Sequence, residues 1–439
     1  MSPAPRKHRL YVFISAFLGT AIEQYDFLLY GTASALVFSK IFFPTLDPLA
    51  GTIASLGTYA AGYFARGAGA LICGHFGDRI GRKTLLLATL LVMGTASTLV
   101  GCLPTYAQIG IWAPILLTLL RIFQGLAIGG EQSGATVLSV ESAPAGRRGL
   151  YGSWSNSGSY GGALLSTGAL LLTSRLPEAD FLTWGWRIPF LFSAVLLVIG
   201  LLGRVRLPEA HEFEQMKATQ SVARFPLADL FRNNRREIAI VFMARLGEIT
   251  WSIFVLLFSV AYVTVHLALP RQVVLAAIMA GATLAVFMVP LFAALSDRIG
   301  RKPIYLAGLL ACALYVWPYF TLLNTRDPAL VKLAIVIALG LIHPLMYGPQ
   351  GGFFADMFDV RVRFSGVSIG AMGAIIGGGI SPVICSALLA ARNGDPLWVA
   401  CYVAASSLIA ASFVLLAPRS GTVSNTIREP VARSQAGQS

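Results

Sequence analysis

Two acidic residues stand close together in an otherwise apolar stretch near the start of the chain. Glu23 and Asp26 are three positions apart, which places both carboxylates on one face if the stretch is helical. Two neighbouring carboxylates in a low-dielectric environment should not both ionise freely, so one is expected to hold a proton near neutral pH. The pair therefore suits proton carrying, with Asp26 the stronger candidate. The alternative is a pair of structural charges balanced by nearby arginines.

Three arginines also lie inside apolar runs, at Arg66, Arg121 and Arg245. A charge at that depth costs about 3 kcal/mol or more and needs a partner or a function. We expect Arg121 to pair with a carboxylate on another helix, preferably Asp26, so that protonation of Asp26 would release the pair. A static buried salt bridge is the alternative. Glu131, a further proton-coupling candidate, points roughly 80° away from Arg121 in a helix.

Candidate ligand-binding residues surround these charges. Arg245 and Glu248 either pair locally, being three residues apart, or Arg245 faces a cavity and binds a carboxylate through its planar guanidinium. Arg66, which follows two tyrosines on one helix face, is a second candidate for binding an anion, with structural pairing as the alternative. The full set of candidates is Arg66, Arg245, Glu248, Tyr30, Gln124, Asn156, Tyr347, Gln350 and Trp251.

The other candidates lie mostly on two polar stripes. One stripe runs along residues 153–160 and the other along residues 343–350. They would suit a ligand that carries hydroxyl groups, or they hydrogen-bond adjacent helices. Trp251 could pack against a ligand ring, although packing against lipid or the protein core is favoured.

Composition indicates which elements must position these residues. Of the 439 residues, 56% are hydrophobic and only 12% are charged, against about 25% charged in soluble domains. This excludes an ordinary soluble enzyme, a disordered protein and a nucleic-acid binder with a polar surface. Spanning helices need about 20 apolar residues, and the chain offers twelve such stretches: 11–38, 52–74, 84–104, 110–140, 150–174, 186–205, 237–264, 272–295, 303–323, 331–355, 365–391 and 396–417. The predicted fold class is therefore an all-α polytopic membrane protein.

A six-residue repeat divides the chain into halves. Residues 78–83 (DRIGRK) recur without change at 297–302, each time between the second and third helix of a six-helix group. The repeat predicts two related six-helix halves, an arrangement common in transporters. The predicted boundaries are 1–205 for the first half, 206–236 for a cytoplasmic linker, 237–417 for the second half and 418–439 for a disordered tail.

The repeated loops are predicted to act as hinges and charge latches, since Gly81 and Gly300 permit tight turns. The residues assigned to this gating role are Gly74, Asp78, Arg79, Gly81, Arg82, Glu141, Asp297, Arg298, Gly300 and Arg301. A simple topology anchor at the membrane edge is the alternative.

The basic residues are distributed unevenly between the two sides. Of the 33 lysines and arginines, 23 fall on the side that carries both termini and 7 on the opposite side. Cytoplasmic loops collect basic residues, so both termini are predicted to lie in the cytoplasm. The net charge of +13 then reflects topology, and nucleic acid is not an expected partner. No phosphate-binding loop, metal-ligand spacing or catalytic constellation occurs, so neither a cofactor nor an enzymatic activity is expected.

Several motifs together resemble a known family. Residues 74–83 (GHFGDRIGRK) are similar to the loop signature of the major facilitator superfamily, and residues 23–27 (EQYDF), 121–125 (RIFQG), 129–131 (GGE), 184–190 (WGWRIPF) and 361–366 (RVRFSG) resemble its metabolite:proton symporter family. Residues 245–248 (RLGE) and 269–271 (LPR) look most like the shikimate-type branch. Three positions depart from the pattern: Gln24 replaces an aromatic residue, Gly67 a proline, and Met372 a polar or aromatic residue.

The resemblance implies a monomeric proton symporter in the bacterial inner membrane that imports a small organic acid by rocking of its two halves. Shikimate or a related carboxylate is the expected substrate; α-ketoglutarate, citrate, proline and betaine are the alternatives within the family. A drug/proton antiporter and a metabolite sensor that does not transport remain open as other classes. The residues by themselves indicate two halves, buried carboxylates and no ATP-binding motif, but not the substrate.

Overall fold

The computed structural model describes residues 6–80, 82–129, 146–205, 232, 234–358, 366–367 and 372–418, with side chains except at 6–16, 70–86, 148 and 203–205. Every regular element in this part of the chain is helical. Twelve long helices follow one another: α1 Arg6–Ala33, α2 Pro48–Ile80, α3 Arg82–Cys102, α4 Trp112–Gly129, α5 Arg148–Thr173, α6 Arg187–Val205, α7 Arg235–His266, α8 Arg271–Ile299, α9 Arg301–Asn324, α10 Pro328–Asp356, α11 Met372–Ala391 and α12 Leu397–Leu415.

The prediction of an all-α polytopic membrane protein is confirmed. By length and composition, eight spans among the described residues can cross a membrane, with mean hydropathy from 1.5 to 2.3; they correspond to α4 and to α6 through α12. The polar side chains of α1 and the serine- and glycine-rich start of α5 lower the hydropathy of those two helices. The count of twelve spans stays a prediction, although the helices follow the predicted order.

Apolar faces on the outside of the molecule fit lipid rather than water. On α4, Ile115, Leu119 and Phe123 are exposed, and on α6 Val195 and Ile199 are exposed. These residues recur every four positions, so they form one continuous stripe along each helix. Such stripes are costly in water but are favourable in a bilayer, which is as apolar as the side chains themselves.

Small residues bring the helices close together. A Cβ added at Gly125 of α4 would lie 2.1 Å from the backbone oxygen of Gly62 on α2. On α5, the corresponding atoms of Gly158 and Gly162 would lie within 2.6 Å of backbone oxygens of α1. Lipid does not drive helices together hydrophobically, so close backbone packing is a main source of association.

Residues 206–231 and 419–439, where most of the linker and the tail are predicted, lie outside the described residues. We call α1 to α6 the N-terminal helices and α7 to α12 the C-terminal helices. The two groups meet where α5 packs on α8 and where α2 packs on α11. At the second contact, Gly378 and Gly379 lie against the ring of Tyr63. This contact is therefore close enough that a side chain at either glycine would displace the tyrosine.

Several helices contain a π-helical turn. These turns include Ser34–Phe38 after α1, Phe254–Phe258 in α7, Ala338–Ile342 in α10 and Ile375–Ile380 in α11. A π-helical turn inserts one residue and rotates the side chains that follow, and it occurs frequently at functional sites. The turn in α10 ends immediately before His343, so it sets the direction of that side chain.

Candidate functional site

A cavity of about 50 Å³ lies between the N-terminal and the C-terminal helices, room for a few water molecules. Five helices line it. The polar and charged lining residues are Gln24, Tyr63, Arg66, Ser159, Tyr160, Arg245, Glu248, Ser252, His343 and Tyr347; the apolar ones are Phe27, Leu28, Ala163, Ile249, Ile253 and Leu256. The predicted ligand-binding residues Arg66, Arg245, Glu248 and Tyr347 are among them.

The carboxylate of Glu248 is completely buried and surrounded by donors. Arg245 Nη1 lies 2.5 Å and Gln350 Nε2 2.8 Å from Glu248 Oε2, while His343 Nε2 lies 2.6 Å from Glu248 Oε1. Arg245 Nη1 also donates to Gln350 Oε1 at 2.7 Å. Arg245 therefore pairs locally with Glu248, which was one of the two alternatives, and it also lines the cavity; binding of a carboxylate by Arg245 stays a prediction. We call these four residues the Glu248 cluster.

Hydrogen bonds join the Glu248 cluster to the N-terminal helices. The hydroxyl of Tyr160 on α5 bonds His343 Nδ1. Ser159 Oγ lies 3.0 Å from the hydroxyl of Tyr347, and Asn156 Nδ2 donates to the backbone oxygen of Tyr347 at 2.7 Å. The two polar stripes predicted from the sequence thus face each other across the cavity. Movement of α5 relative to α10 would have to break these bonds.

A second buried charged group lies among the N-terminal helices. Asp26 is 2% exposed and accepts a hydrogen bond from Ser193 Oγ at 2.5 Å. Among the described contacts no direct ion pair joins Asp26 to Arg121. Instead, Ser97 hydrogen-bonds Asp26 and accepts from Gln124 Nε2 at 2.7 Å, and Gln124 Oε1 accepts from Arg121 Nη1 at 3.0 Å. The expected pair is therefore connected through two intervening side chains.

Arg121 lies in an aromatic cage. Its guanidinium carbon is 4.0 Å from the ring centre of Phe27, 4.4 Å from that of Tyr30 and 4.6 Å from that of Tyr59. Within the part of the chain that the structure describes, Nε and Nη2 of Arg121 have no hydrogen-bond partner. The ring faces carry negative potential and replace part of that missing solvation. Gly62 makes room for the arginine, since an added Cβ there would lie 2.5 Å from Nε.

Five predicted ligand-binding residues do not line the cavity. Tyr30 bonds Thr58 at 2.8 Å beside the Arg121 cage, Gln124 connects Arg121 to Ser97, and Gln350 bonds Glu248. Asn156 bonds the backbone of α10. Trp251 is fully buried and donates to the backbone oxygen of Ala338 at 3.1 Å, which agrees with the favoured packing role. Their contacts are those of supporting residues around the cavity.

The remaining proton-coupling candidates are placed only in part. Glu23 is buried on α1. Glu131 lies outside the described residues.

Several lining residues were missing from the predicted set. His343 and Tyr160 belong to the polar stripes, but stripes alone do not indicate which members face a cavity. Gln24 is the departure from the family pattern noted above, and it lies in the cavity wall. The unusual residue type at this position was the feature of the sequence that could have indicated a place in the cavity wall.

Asp297 of the repeated motif joins the two groups of helices at one face of the molecule. Its carboxylate accepts the backbone N–H groups of Gly149, at 2.9 Å, and Leu150, at 3.0 Å, at the start of α5. Arg301 pairs with Asp297 at 3.2 Å and also with Asp356. We call this group the latch. The gating role predicted for this loop, and its place on the cytoplasmic face, stay predictions.

The structure places only some of the other residues that were assigned to the gating role. Gly300 ends α8 with φ of +102°, a conformation that glycine adopts without strain. Arg298 is exposed. Gly81 and Glu141 lie outside the described residues, and so do the side chains of the segment that contains Gly74, Asp78, Arg79 and Arg82.

A second charged contact joins the two groups of helices near the junctions of α5 with α6 and of α7 with α8. Arg271 at the start of α8 pairs with Glu178 and donates to the backbone oxygen of Ser174 at 3.1 Å. Gln272 also donates to that oxygen, at 2.7 Å, and Lys40 pairs with Glu178 at 2.9 Å. We call this group the clamp. The latch and the clamp thus both join the N-terminal helices to the C-terminal helices, the two groups that enclose the cavity between them.

Comparison with known proteins identifies the class. The family model of the Major Facilitator Superfamily matches residues 16–382. The shikimate transporter of Escherichia coli K12 is 39% identical over 407 residues, 92% of this chain and 93% of that protein. The proline/betaine transporter of the same strain is 33% identical over 390 residues, 85% of this chain and 77% of that protein. The chain therefore belongs to the major facilitator superfamily.

A solved structure agrees with this assignment. The xylose transporter XylE from Escherichia coli, in a partially occluded inward open conformation, matches with a TM-score of 0.75 at 18% identity, covering 94% of this chain and 98% of that chain. This likeness shows the major facilitator fold. The resemblance noted in the sequence motifs is confirmed, and the protein is a polytopic membrane transporter of small molecules and not an enzyme.

Proposed function

We propose that this protein imports a small organic acid together with protons, as a monomer, across the bacterial inner membrane with both termini in the cytoplasm. The observation that carries the proposal is the cavity between the N-terminal and C-terminal helices. It is lined by Arg66, Arg245 and Glu248, and a further buried carboxylate, that of Asp26, lies among the N-terminal helices. An anion needs such cations, and a proton needs a carboxylate held at low dielectric.

Shikimate is the substrate we favour. The similar transporter from Escherichia coli K12 carries that name, and shikimate combines one carboxylate with several hydroxyls. The cavity offers arginines for the carboxylate and the side chains of Ser159, Tyr347 and Ser252 for the hydroxyls. The zwitterions proline and betaine are the second candidate, supported by the similarity to the proline/betaine transporter.

The transport cycle follows from which contacts must break. Asp26, helped by Glu23, takes a proton from outside, which weakens its attraction for Arg121 through Ser97 and Gln124. The substrate binds between the arginines while the clamp is open, and the clamp then closes. Opening of the latch releases substrate and proton to the cytoplasm. A shikimate molecule is larger than the cavity, whose volume is about 50 Å³. The helices must therefore move apart to admit it.

Uptake into proteoliposomes tests this function. The purified protein, with an inside-alkaline pH gradient, is offered shikimate, α-ketoglutarate, citrate, aromatic acids and betaine in turn. We expect gradient-driven accumulation of shikimate and acidification of the lumen. Accumulation of betaine alone would favour the zwitterion alternative. Specific binding without accumulation of any compound would favour a sensor and overturn the proposal.

The role of Asp26 is tested by one substitution. Asp26→Asn keeps the hydrogen-bonding shape but cannot exchange a proton, so uphill uptake should fall at least about tenfold while exchange of internal for external substrate persists. The control is Asp395→Asn, because Asp395 is an exposed residue whose described ion pair is with the nearby Arg392. Uphill, pH-driven uptake by the Asp26 variant at the unsubstituted rate would contradict the assigned role.

A further inference from the structure

Arg245 lines the cavity, yet its charge is already neutralised. The same nitrogen, Nη1, donates to Glu248 at 2.5 Å and to Gln350 at 2.7 Å. An incoming carboxylate would have to share this guanidinium with the buried, ionised Glu248. Two anions on one buried cation leave a negative charge without compensation, which is strongly unfavourable. The cluster as it stands therefore binds an anion poorly unless Glu248 becomes neutral.

A hydrogen-bonded path leads from the opposite wall of the cavity to Glu248. The hydroxyl of Tyr160 bonds His343 Nδ1, and His343 Nε2 lies 2.6 Å from Glu248 Oε1. Histidine presents a nitrogen to each neighbour, so it can accept a proton at one and release a proton at the other. Tyr160 passes its hydroxyl proton to Nδ1 and takes another from the cavity, while the Nε2 proton of His343 passes to Glu248; the tyrosine, the imidazole and the carboxylic acid are then all neutral. One proton enters and one carboxylate is neutralised, so the step balances.

We propose that Glu248 is a second proton acceptor, and that its protonation through Tyr160 and His343 frees Arg245 for the carboxylate of the substrate. This inference rests on the proposed function. The substrate carboxylate replaces Glu248 as the partner of Arg245, so the charge of the site is the same before and after binding. The proton and the substrate carboxylate then bind at the same site, and the proton binds before the carboxylate.

The neighbouring groups do not supply an alternative acceptor at this position. Among the described residues, the titratable or charged side chains that face the Glu248 cluster are Tyr63 and Arg66 from α2, Tyr160 from α5, Tyr305 and Cys312 from α9, and Tyr347 from α10. Tyrosine, cysteine and arginine are normally already protonated at neutral pH. Among these groups and the cluster, Glu248 supplies the carboxylate that can accept a proton, and His343 Nε2 lies in direct contact with it.

Calorimetry measures how many protons the protein takes up when it binds the substrate. Titration of the purified protein with shikimate in buffers of different ionisation heats gives the number of protons taken up per ligand bound. We expect Glu248→Gln to take up about one proton fewer per ligand than the unsubstituted protein at neutral pH. That variant mimics the neutral acid, so it should bind shikimate at least as tightly and lose the pH dependence of binding. The matched control is Glu237→Gln in the first turn of α7, which should behave as the unsubstituted protein.

The outcomes separate this inference from the proposed function. Binding without proton uptake in the unsubstituted protein, or equal uptake in Glu248→Gln, overturns the inference alone. If neither shikimate nor the other carboxylates of the panel bind, the proposed function fails and the inference fails with it. Accumulation in proteoliposomes under a pH gradient reports on the proposed function independently of Glu248.

A spectroscopic measurement keeps the test decisive if Glu248→Gln does not fold. Infrared difference spectra of the unsubstituted protein and of Asp26→Asn, recorded on adding shikimate, should both show a new protonated carboxyl band. Persistence of the band without Asp26 assigns it to a second acceptor. No new band in either protein, or loss of the band in Asp26→Asn, overturns the inference. In His343→Gln, the same band should form at least about tenfold more slowly.

Discussion

Each buried charge in this protein is stabilised by a different kind of neighbour. Within the described part of the chain, Glu248 has three hydrogen-bond donors, whereas Arg121 has one hydrogen bond and a cage of three aromatic rings. The planar guanidinium can stack against rings while it bonds Gln124 in its own plane, and an ammonium group cannot do both. The chemical identity of Arg121 therefore matters beyond its charge.

At the residue scale, we predict that Arg121→Lys lowers uphill uptake at least about tenfold. A desolvated cation–π contact is worth about 2 kcal/mol, and 1.4 kcal/mol corresponds to a factor of ten. Initial rates in proteoliposomes, normalised to the amount of folded protein, measure the effect. Arg392→Lys is the control, because that guanidinium also lies over a ring, 5.3 Å from the centre of Trp398, but is exposed to solvent. Equal losses in the two variants would argue against a special role for the cage.

At the scale of the helix, glycines decide how closely helices approach, and π-helical turns decide where side chains point. The pair α2 and α4 shows the first effect, because Gly125 meets the backbone of Gly62. The turn Ala338–Ile342 shows the second, because it precedes His343 directly. The close packing of α2 and α4 thus positions Arg121, and the π-helical turn in α10 positions His343. Neither the glycines nor the turn contributes a reactive group.

The helix contact provides a stability prediction. Gly125→Ala places a methyl group 2.1 Å from a backbone oxygen, so α2 and α4 must separate, with an expected loss of about 1–3 kcal/mol of stability. Thermal unfolding in detergent measures it. Gly57→Ala on α2 is the control, since the added Cβ there has nothing within 4 Å; its melting temperature should stay the same or rise slightly. Equal melting temperatures for the two variants would rule out the close contact.

At the scale of the whole molecule, the proposed transport cycle requires that the two faces open in turn. The latch and the clamp each join the N-terminal helices to the C-terminal helices, and the cavity lies between those two groups. A transporter that opened both contacts together would leak protons. We therefore expect weakening of either contact to favour the conformation in which only that face is open.

Two substitutions, one in the latch and one in the clamp, test this expectation. They are expected to open opposite faces of the protein. Asp297→Asn weakens the charge interaction with the start of α5, and Glu178→Gln removes the ion pairs of the clamp. Each change is worth about 1 kcal/mol or less, enough for a shift of up to about fivefold in population. Distances between spin labels on the two faces should lengthen at the latch face in Asp297→Asn and at the clamp face in Glu178→Gln. Asp180→Asn, on the same short helix as Glu178, is the control. Lengthening at the same face in both variants would contradict alternating access.

The sequence by itself determined the class of the protein. Long apolar stretches, the repeated DRIGRK segment and the uneven basic residues depend on composition and order along the chain, and they predicted an all-α membrane protein of the major facilitator type. They also singled out Asp26, Arg121, Arg245 and Glu248, because a charge in an apolar helix is conspicuous without any structure.

Only the tertiary structure decided which of those charges meet. Contacts between helices depend on rotation and on close packing at glycines, which local sequence does not specify. The expected direct pair of Asp26 and Arg121 is instead joined through Ser97 and Gln124. The hydrogen bond between Tyr160 and His343 links residues 183 positions apart along the chain. It forms because α5 and α10 face each other across the cavity, and that arrangement exists only once the helices have packed.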